Sequence, residues 1–139
     1  MKNRLRTAFL ALVCAPLAQA DNLHEPEKGS PERKALMDSL RAADFPKQDV
    51  VFKVLYLQVH DGWAWVDYSP LDKKGKAVAE GGTQLLHLVK GTWQQIDLSK
   101  VPDDPANPLG AQESSPGFVK NLRKMYPDVP TDLFPKHKK

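Results

Sequence analysis

Hydrophobic and polar positions alternate with two different periods along this chain, and the change of period separates helices from strands. The apolar residues Leu36, Met37 and Leu40 recur at helical spacing. Ser30 and Pro31 precede them as a hydroxyl N-cap and a proline at the first helical position. The pattern predicts an amphipathic helix of about three turns that ends at a Phe-Pro step and packs on another element.

Four segments with the composition of β-strands follow this helix. Residues 50–60 and 63–68 flank an Asp-Gly pair, which is a strong signal for a two-residue hairpin turn. Residues 83–89 and 92–98 flank a Lys-Gly turn and form a second hairpin. Four strands in this order predict an antiparallel meander with the helix across one face.

A second helix is predicted near the end of the chain. Residues 101–115 hold several prolines and few apolar residues, as in a surface loop, and Ser115 and Pro116 then repeat the helix-start signal. Leu133 and Phe134 follow as apolar docking residues. The expected fold class is α+β, with an N-terminal helix packed on a four-stranded antiparallel meander, plus a C-terminal helix at an edge or end of the sheet.

The first twenty residues have the pattern of a secretory signal peptide. Lys2, Arg4 and Arg6 precede a short apolar run, and Ala18 and Ala20 bracket the small-x-small exit that signal peptidase requires. The run is shorter than the ~20 residues that span a bilayer. We therefore expect a periplasmic or secreted protein, with no membrane insertion after cleavage. The domain plan is a signal peptide, a flexible leader, a single α+β domain and a basic tail, at residues 1–20, 21–29, 30–135 and 136–139.

Export changes what the charge and the cysteine content imply. Three of the 20 basic residues lie in the signal peptide, so 17 basic residues then face 17 acidic ones. This balance gives no support to nucleic-acid binding, which needs a clustered basic surface. Cys14, the one cysteine, leaves with the signal peptide, so no thiol remains for a disulfide, a metal or a nucleophile.

The hairpin turn sets a register that divides the side chains of the first two strands between two faces. One face is mainly aliphatic and is the expected bed of the helix: Leu55, Leu57, Val59, Ala64, Val66 and Tyr68. The other mixes large aromatic rings with polar groups and is expected to be half exposed: Tyr56, Gln58, His60, Trp63, Trp65 and Asp67.

The mixed face predicts a binding surface formed by Tyr56, His60, Trp63, Trp65 and Asp67. Such rings grip the apolar parts of a partner, and the polar groups orient it. We expect the partner to be a protein, a peptide or a cell-envelope component. Two alternatives need no ligand: aromatic cross-strand pairs stabilise a sheet by about 0.2–1 kcal/mol each, and the C-terminal helix would make both tryptophans core residues if it covered this face.

Signatures of catalysis and metal binding are missing from the sequence. His60 near Asp67, and His87 opposite Gln94, are the acid–base candidates, and neither has a local motif. The four histidines are scattered and show no zinc-site spacing. We therefore assign no catalytic residue, no metal ligand and no cofactor, and we favour a protein that is not an enzyme.

A resemblance rests on residues 30–41, 51–54, 61–66 and 91–98. Together they resemble small exported bacterial proteins of unknown function that have a leading helix and a tryptophan-bearing meander. The helix-then-meander order is also similar to cystatin-like and NTF2-like α+β folds. Those folds host inhibitors, ligand binders and small enzymes, so the resemblance implies an architecture and does not select an activity.

Three functions are compatible with these observations. The leading one is an exported, non-catalytic binding or accessory protein that uses the mixed face. The first alternative is a small NTF2-like enzyme with a pocket between helix and sheet. The second is a protein inhibitor or immunity-type protein that inserts residues 103–115 into another protein's cleft.

Overall fold

A computed structural model of the chain describes residues 22–136, apart from the side chains at positions 112 and 113. The predicted signal peptide and positions 137–139 of the predicted basic tail lie outside these residues. The helices and strands are α1 (Pro31–Asp44), β1 (Val51–His60), β2 (Trp63–Leu71), β3 (Gly82–Val89), β4 (Thr92–Gln95), α2 (Gly110–Glu113) and α3 (Pro116–Met125). Short 3-10 helices cover Leu98–Lys100 and Thr131–Leu133.

The four strands form one antiparallel sheet in the order β1-β2-β3-β4, so the predicted meander and the α+β class are confirmed. The hairpin turn gives the expected pairing of Val59 with Ala64 and of Gln58 with Trp65. β4 is shorter than predicted, because the chain leaves the sheet after Gln95 and Asp97 caps a 3-10 turn.

A β-bulge at Leu55 changes the register in the first half of β1. Tyr56 pairs with Asp67 as predicted, but Val54, and not Leu55, lies opposite Tyr68. The extra residue in a bulge has no partner across the ladder, and Leu55 is 62% exposed. The prediction that Leu55 belongs to the aliphatic face is therefore wrong.

Helix α1 covers the aliphatic face of the sheet. The Ser30 hydroxyl accepts a hydrogen bond from the backbone N–H of Arg33, and Pro31 occupies the first helical position. The helix buries Leu36, Met37 and Leu40 against the sheet. The sheet side chains of this cluster are Leu57, Val59, Ala64, Val66, Tyr68, Leu86 and Trp93.

The C-terminal part of the chain covers the opposite face, where we had expected an edge or end position. Phe118 and Leu122 of α3 are buried there with the sheet residues Trp63, Trp65 and Leu85. Val101, Val129, Leu133 and Phe134 complete this second cluster. The sheet thus lies between two layers, and most of β2 is buried because it contributes side chains to both clusters.

The segment predicted as a flexible leader makes defined contacts with the domain. His24 exchanges two backbone hydrogen bonds with Val59, of 2.9 and 2.8 Å, and so extends the outer edge of β1. Its imidazole Nε2 lies 2.7 Å from a carboxylate oxygen of Glu32, and Arg33 donates to the carbonyl oxygen of Pro26. Within residues 22–136, no helix is both long and apolar enough to cross a membrane.

Candidate functional site

The two tryptophans of the predicted binding surface are core residues. Trp65 is fully buried and Trp63 is 4% exposed. Phe134 packs edge-on against Trp65, with 4.9 Å between the ring centroids, and Tyr126 approaches Trp63 at 5.9 Å. The expected half-exposed aromatic face is therefore wrong, because the C-terminal segment covers it, and Trp63 and Trp65 are not available to a partner.

Tyr56 and His60 hold the covering segment in place. The Tyr56 hydroxyl donates to the backbone carbonyl of Leu133 at 3.0 Å, and Nδ1 of His60 lies 2.7 Å from a carboxylate oxygen of Asp132. Burial raises the pKa of Tyr56, and the carboxylates of Asp67 and Asp132 raise it further. Both side chains are occupied by contacts within the chain.

Asp67 lies on the same face of the sheet as His60, but the two side chains are not neighbours. It pairs across the sheet with Tyr56, whereas His60 pairs with Trp63 at the other end of the hairpin. The Asp67 carboxylate accepts a hydrogen bond of 2.8 Å from the Thr83 hydroxyl. Burial raises the pKa of Asp67, and the bond from Thr83 partly offsets this. The predicted acid–base pair of His60 and Asp67 does not form.

One polar atom of this buried face has no partner. The indole Nε1 of Trp65 is enclosed and donates to no acceptor among the described residues. A buried donor left without an acceptor costs about 1–3 kcal/mol. The aromatic cluster is therefore stabilised by packing. The unpaired Nε1 of Trp65 offsets part of that stabilisation.

A mainly apolar depression on the surface is the groove between α3 and the C-terminal segment, with a volume of about 850 Å³. We call it the α3 groove. It is lined by Ser114, Pro116, Val119, Lys120, Arg123, Lys124, Thr131, Phe134, Pro135 and Lys136. Phe134 joins this groove to the core, because the same ring packs against Trp65. The C-terminal segment that hides the tryptophans thus forms a new surface on its outer side.

Among the residues whose side chains the structure describes, four cations and no carboxylate line the α3 groove. Lys120, Lys124 and Lys136 are exposed and form no ion pair with any of those side chains. Arg123 donates to the backbone carbonyls of Val129 and Pro127, at 2.9 and 3.5 Å, which leaves its charge uncompensated. The groove therefore combines an apolar floor with unneutralised positive charge.

The sequence predicted a binding surface on the aromatic residues of the sheet and did not predict this groove. A usable signal was present, because Lys120, Arg123 and Lys124 have the i, i+3, i+4 spacing that places side chains on neighbouring turns of a helix. The far wall, from Thr131 to Lys136, is a short 3-10 helix followed by irregular chain and has no such period. Only the folded structure brings it to α3.

Features of an enzyme or a metal site are weak in the described residues. No group of three potential ligands among His, Cys, Asp and Glu forms there. The space between α1 and the sheet is filled by apolar side chains. The imidazole of His60 has carboxylates near both ring nitrogens, with Asp61 at 3.5 Å from Nε2 and Asp132 at Nδ1.

Comparisons of the chain with protein-family models, with curated proteins and with solved structures found no match. The resemblance to cystatin-like and NTF2-like folds stays a prediction.

Proposed function

We propose that this protein is an exported, non-catalytic binding or accessory protein, and that its partner binds in the α3 groove. The groove replaces the sheet face of Trp63 and Trp65 as the binding surface, since both indoles are enclosed. The partner is an anionic component of the cell envelope or of a protein in that compartment.

The proposal rests on one observation: a single concave surface combines an apolar floor with positive charges that form no ion pair among the described side chains. Apolar area supplies most of the affinity of a binding site, and charges at its rim select the partner and accelerate encounter. Lys120, Lys124 and Lys136 all border this groove, together with Arg123.

Export is supported by the basic start, short apolar run and small-x-small exit of residues 1–20. Expression of the full chain in a bacterium with two membranes tests it. The protein recovered from the periplasm should begin at Asp21, as measured by intact mass. Recovery of an uncleaved chain from the cytoplasm alone would contradict export.

Capture from an envelope extract tests the site with a matched pair of variants. Lys120→Glu/Lys124→Glu reverses two groove charges, and Lys74→Glu/Lys76→Glu makes the same charge change in the exposed loop between β2 and β3. We expect the first variant to lose the captured partner and the second to retain it, with both still folded by circular dichroism. Equal capture by both variants would contradict the proposed site.

A further inference from the structure

The cations of the α3 groove stand on both of its walls. Lys120, Arg123 and Lys124 belong to α3, and Lys136 belongs to the C-terminal segment on the opposite side. No carboxylate among the described lining side chains separates or neutralises them. A bound molecule therefore meets positive charge on two sides at once.

The floor between these walls is apolar and open to solvent. Phe134 is buried, whereas Val119 and Pro135 are half-buried and Pro116 is exposed. Such a floor can contact apolar side chains but, because it is open to solvent, it does not enclose a hydrocarbon chain.

We infer that the occupant of the α3 groove is an acidic segment of a partner protein, in which an apolar side chain is flanked on both sides by Asp or Glu. This inference rests on the proposed function. The apolar side chain lies on the floor, and the flanking carboxylates reach the cations of the two walls. Acidic segments are commonly recognised by clusters of cationic side chains in this way.

An anionic lipid matches this arrangement less well. A lipid carries its charge at one end, so a single headgroup engages one wall and leaves the cations of the other unpaired. Its acyl chain would also stay in contact with water along the open groove, which removes most of the gain from burying it. Charge on both walls of an open apolar floor favours the acidic segment.

The remaining parts of this chain do not fit the groove. Positions 137–139, which follow Lys136 in the sequence, are His, Lys and Lys. They repeat the sign of the groove's own charge, so they would add to the attraction for an acidic segment and would not compete with it. The predicted signal peptide begins with three cations of the same sign.

A synthetic peptide tests the inference directly. The probe is a fluorescein-labelled peptide with one central phenylalanine between two runs of three glutamates, and binding is measured by anisotropy at low salt. Three comparison probes isolate its parts: glutamine in place of every glutamate, serine in place of the phenylalanine, and phosphatidylglycerol vesicles without peptide.

We expect the acidic peptide to bind, and its affinity to fall at least tenfold in Lys120→Glu/Lys124→Glu but less than twofold in Lys74→Glu/Lys76→Glu. The glutamine and serine peptides should each bind several-fold more weakly, and salt should weaken the binding because the charges are exposed. Val119→Ser, a half-buried change on the floor, should reproduce the loss seen with the serine peptide.

Three results would overturn the inference: no binding of the acidic peptide, equal loss in both charge-reversal variants, or binding of the vesicles in place of the peptide. The envelope capture experiment separates this failure from failure of the proposed function. If capture still depends on Lys120 and Lys124 while the peptide does not bind, the groove remains the site and only the class of partner is wrong.

Discussion

The imidazole of His87 lies parallel to the indole of Trp63, with 3.8 Å between the ring centroids and 3° between the ring planes. The two residues are direct cross-strand partners in β2 and β3. Tyr126, at the end of α3, packs edge-on against Trp63, with 5.9 Å between the ring centroids. His87, a candidate for acid–base chemistry by sequence, is thus a stacking partner of a buried tryptophan.

The unpaired indole nitrogen of Trp65 predicts an unusually small loss of stability for Trp65→Phe. Trp65→Ala should lower the free energy of unfolding by about 3–5 kcal/mol through the cavity that it leaves. Trp65→Phe should cost much less, because the phenyl ring keeps most of the packing while the buried unpaired N–H is removed. Urea denaturation of both variants measures this difference.

Trp93→Phe is the control for this pair. It makes the same change of volume in the α1 cluster, at a residue that has no enclosed unpaired donor. It should therefore cost more than Trp65→Phe. A loss for Trp65→Phe as large as that for Trp93→Phe would show that the unpaired donor has no energetic weight.

Asp67 predicts a dependence of stability on pH. Burial raises the pKa of its carboxyl above the ordinary 3.8, so the folded state holds this proton more readily than the unfolded state. Its contribution to the free energy of unfolding is therefore largest at acid pH and falls as the pH rises from 3.8 through the raised pKa.

Asp67→Asn removes that titration and keeps an oxygen for the Thr83 hydroxyl. The variant should be at least as stable as the parent at pH 7, and the difference should shrink towards acid pH. Urea denaturation across this range measures it. A variant that is less stable at pH 7 and equally stable in acid would contradict the account.

Gly117→Ala, near the start of α3, should lower the stability of the protein, although alanine usually stabilises a helix relative to glycine. A methyl group there would overlap the carboxylate of Asp104. Overpacking of this kind costs about 1–3 kcal/mol, against the gain of up to ~1 kcal/mol for Gly→Ala in a helix. We expect Gly117→Ala to lower the melting temperature.

The double variant Gly117→Ala/Asp104→Ala tests the cause. Removal of the carboxylate should relieve the overlap, so the double variant should lose less stability than the sum of the two single changes. Additive losses would mean that the alanine is harmful for another reason.

The hydroxyl of Tyr56 should control how tightly the C-terminal segment is held. Tyr56→Phe removes its hydrogen bond to the carbonyl of Leu133, at a cost of about 1 kcal/mol, and should speed hydrogen exchange at Thr131–Leu133. Tyr68→Phe removes a hydroxyl bond to Asp44 on the other side of the sheet. It should cost a similar amount without changing exchange in that segment. Equal exchange in both variants would contradict this role.

Elements that depend on neighbouring residues were predictable from the sequence. The cap of α1 at Ser30, the start of α3 at Ser115 and the register around the first hairpin turn follow from local geometry, and all three are confirmed. The bulge at Leu55 was missed, although the polar positions of β1 change phase across it, from Lys53 to Gln58 and His60.

The candidate site was less predictable than the fold. Amphipathic alternation shows that a face is mixed, but not whether a distant segment covers it. Here Leu133 and Phe134, predicted as docking residues, bury the face that carries Trp65. A contact between residues 77 positions apart, such as that of Tyr56 with Leu133, has no local signature.

The central claim is that a partner binds outside the C-terminal segment and not on the indoles beneath it. Amide chemical-shift mapping by NMR, with labelled protein and the captured partner or the acidic peptide, tests this most directly. The account predicts that the largest changes fall on the lining residues of the α3 groove, with small changes at Trp63 and Trp65. Large changes along β1 and β2 with none in the groove would contradict it.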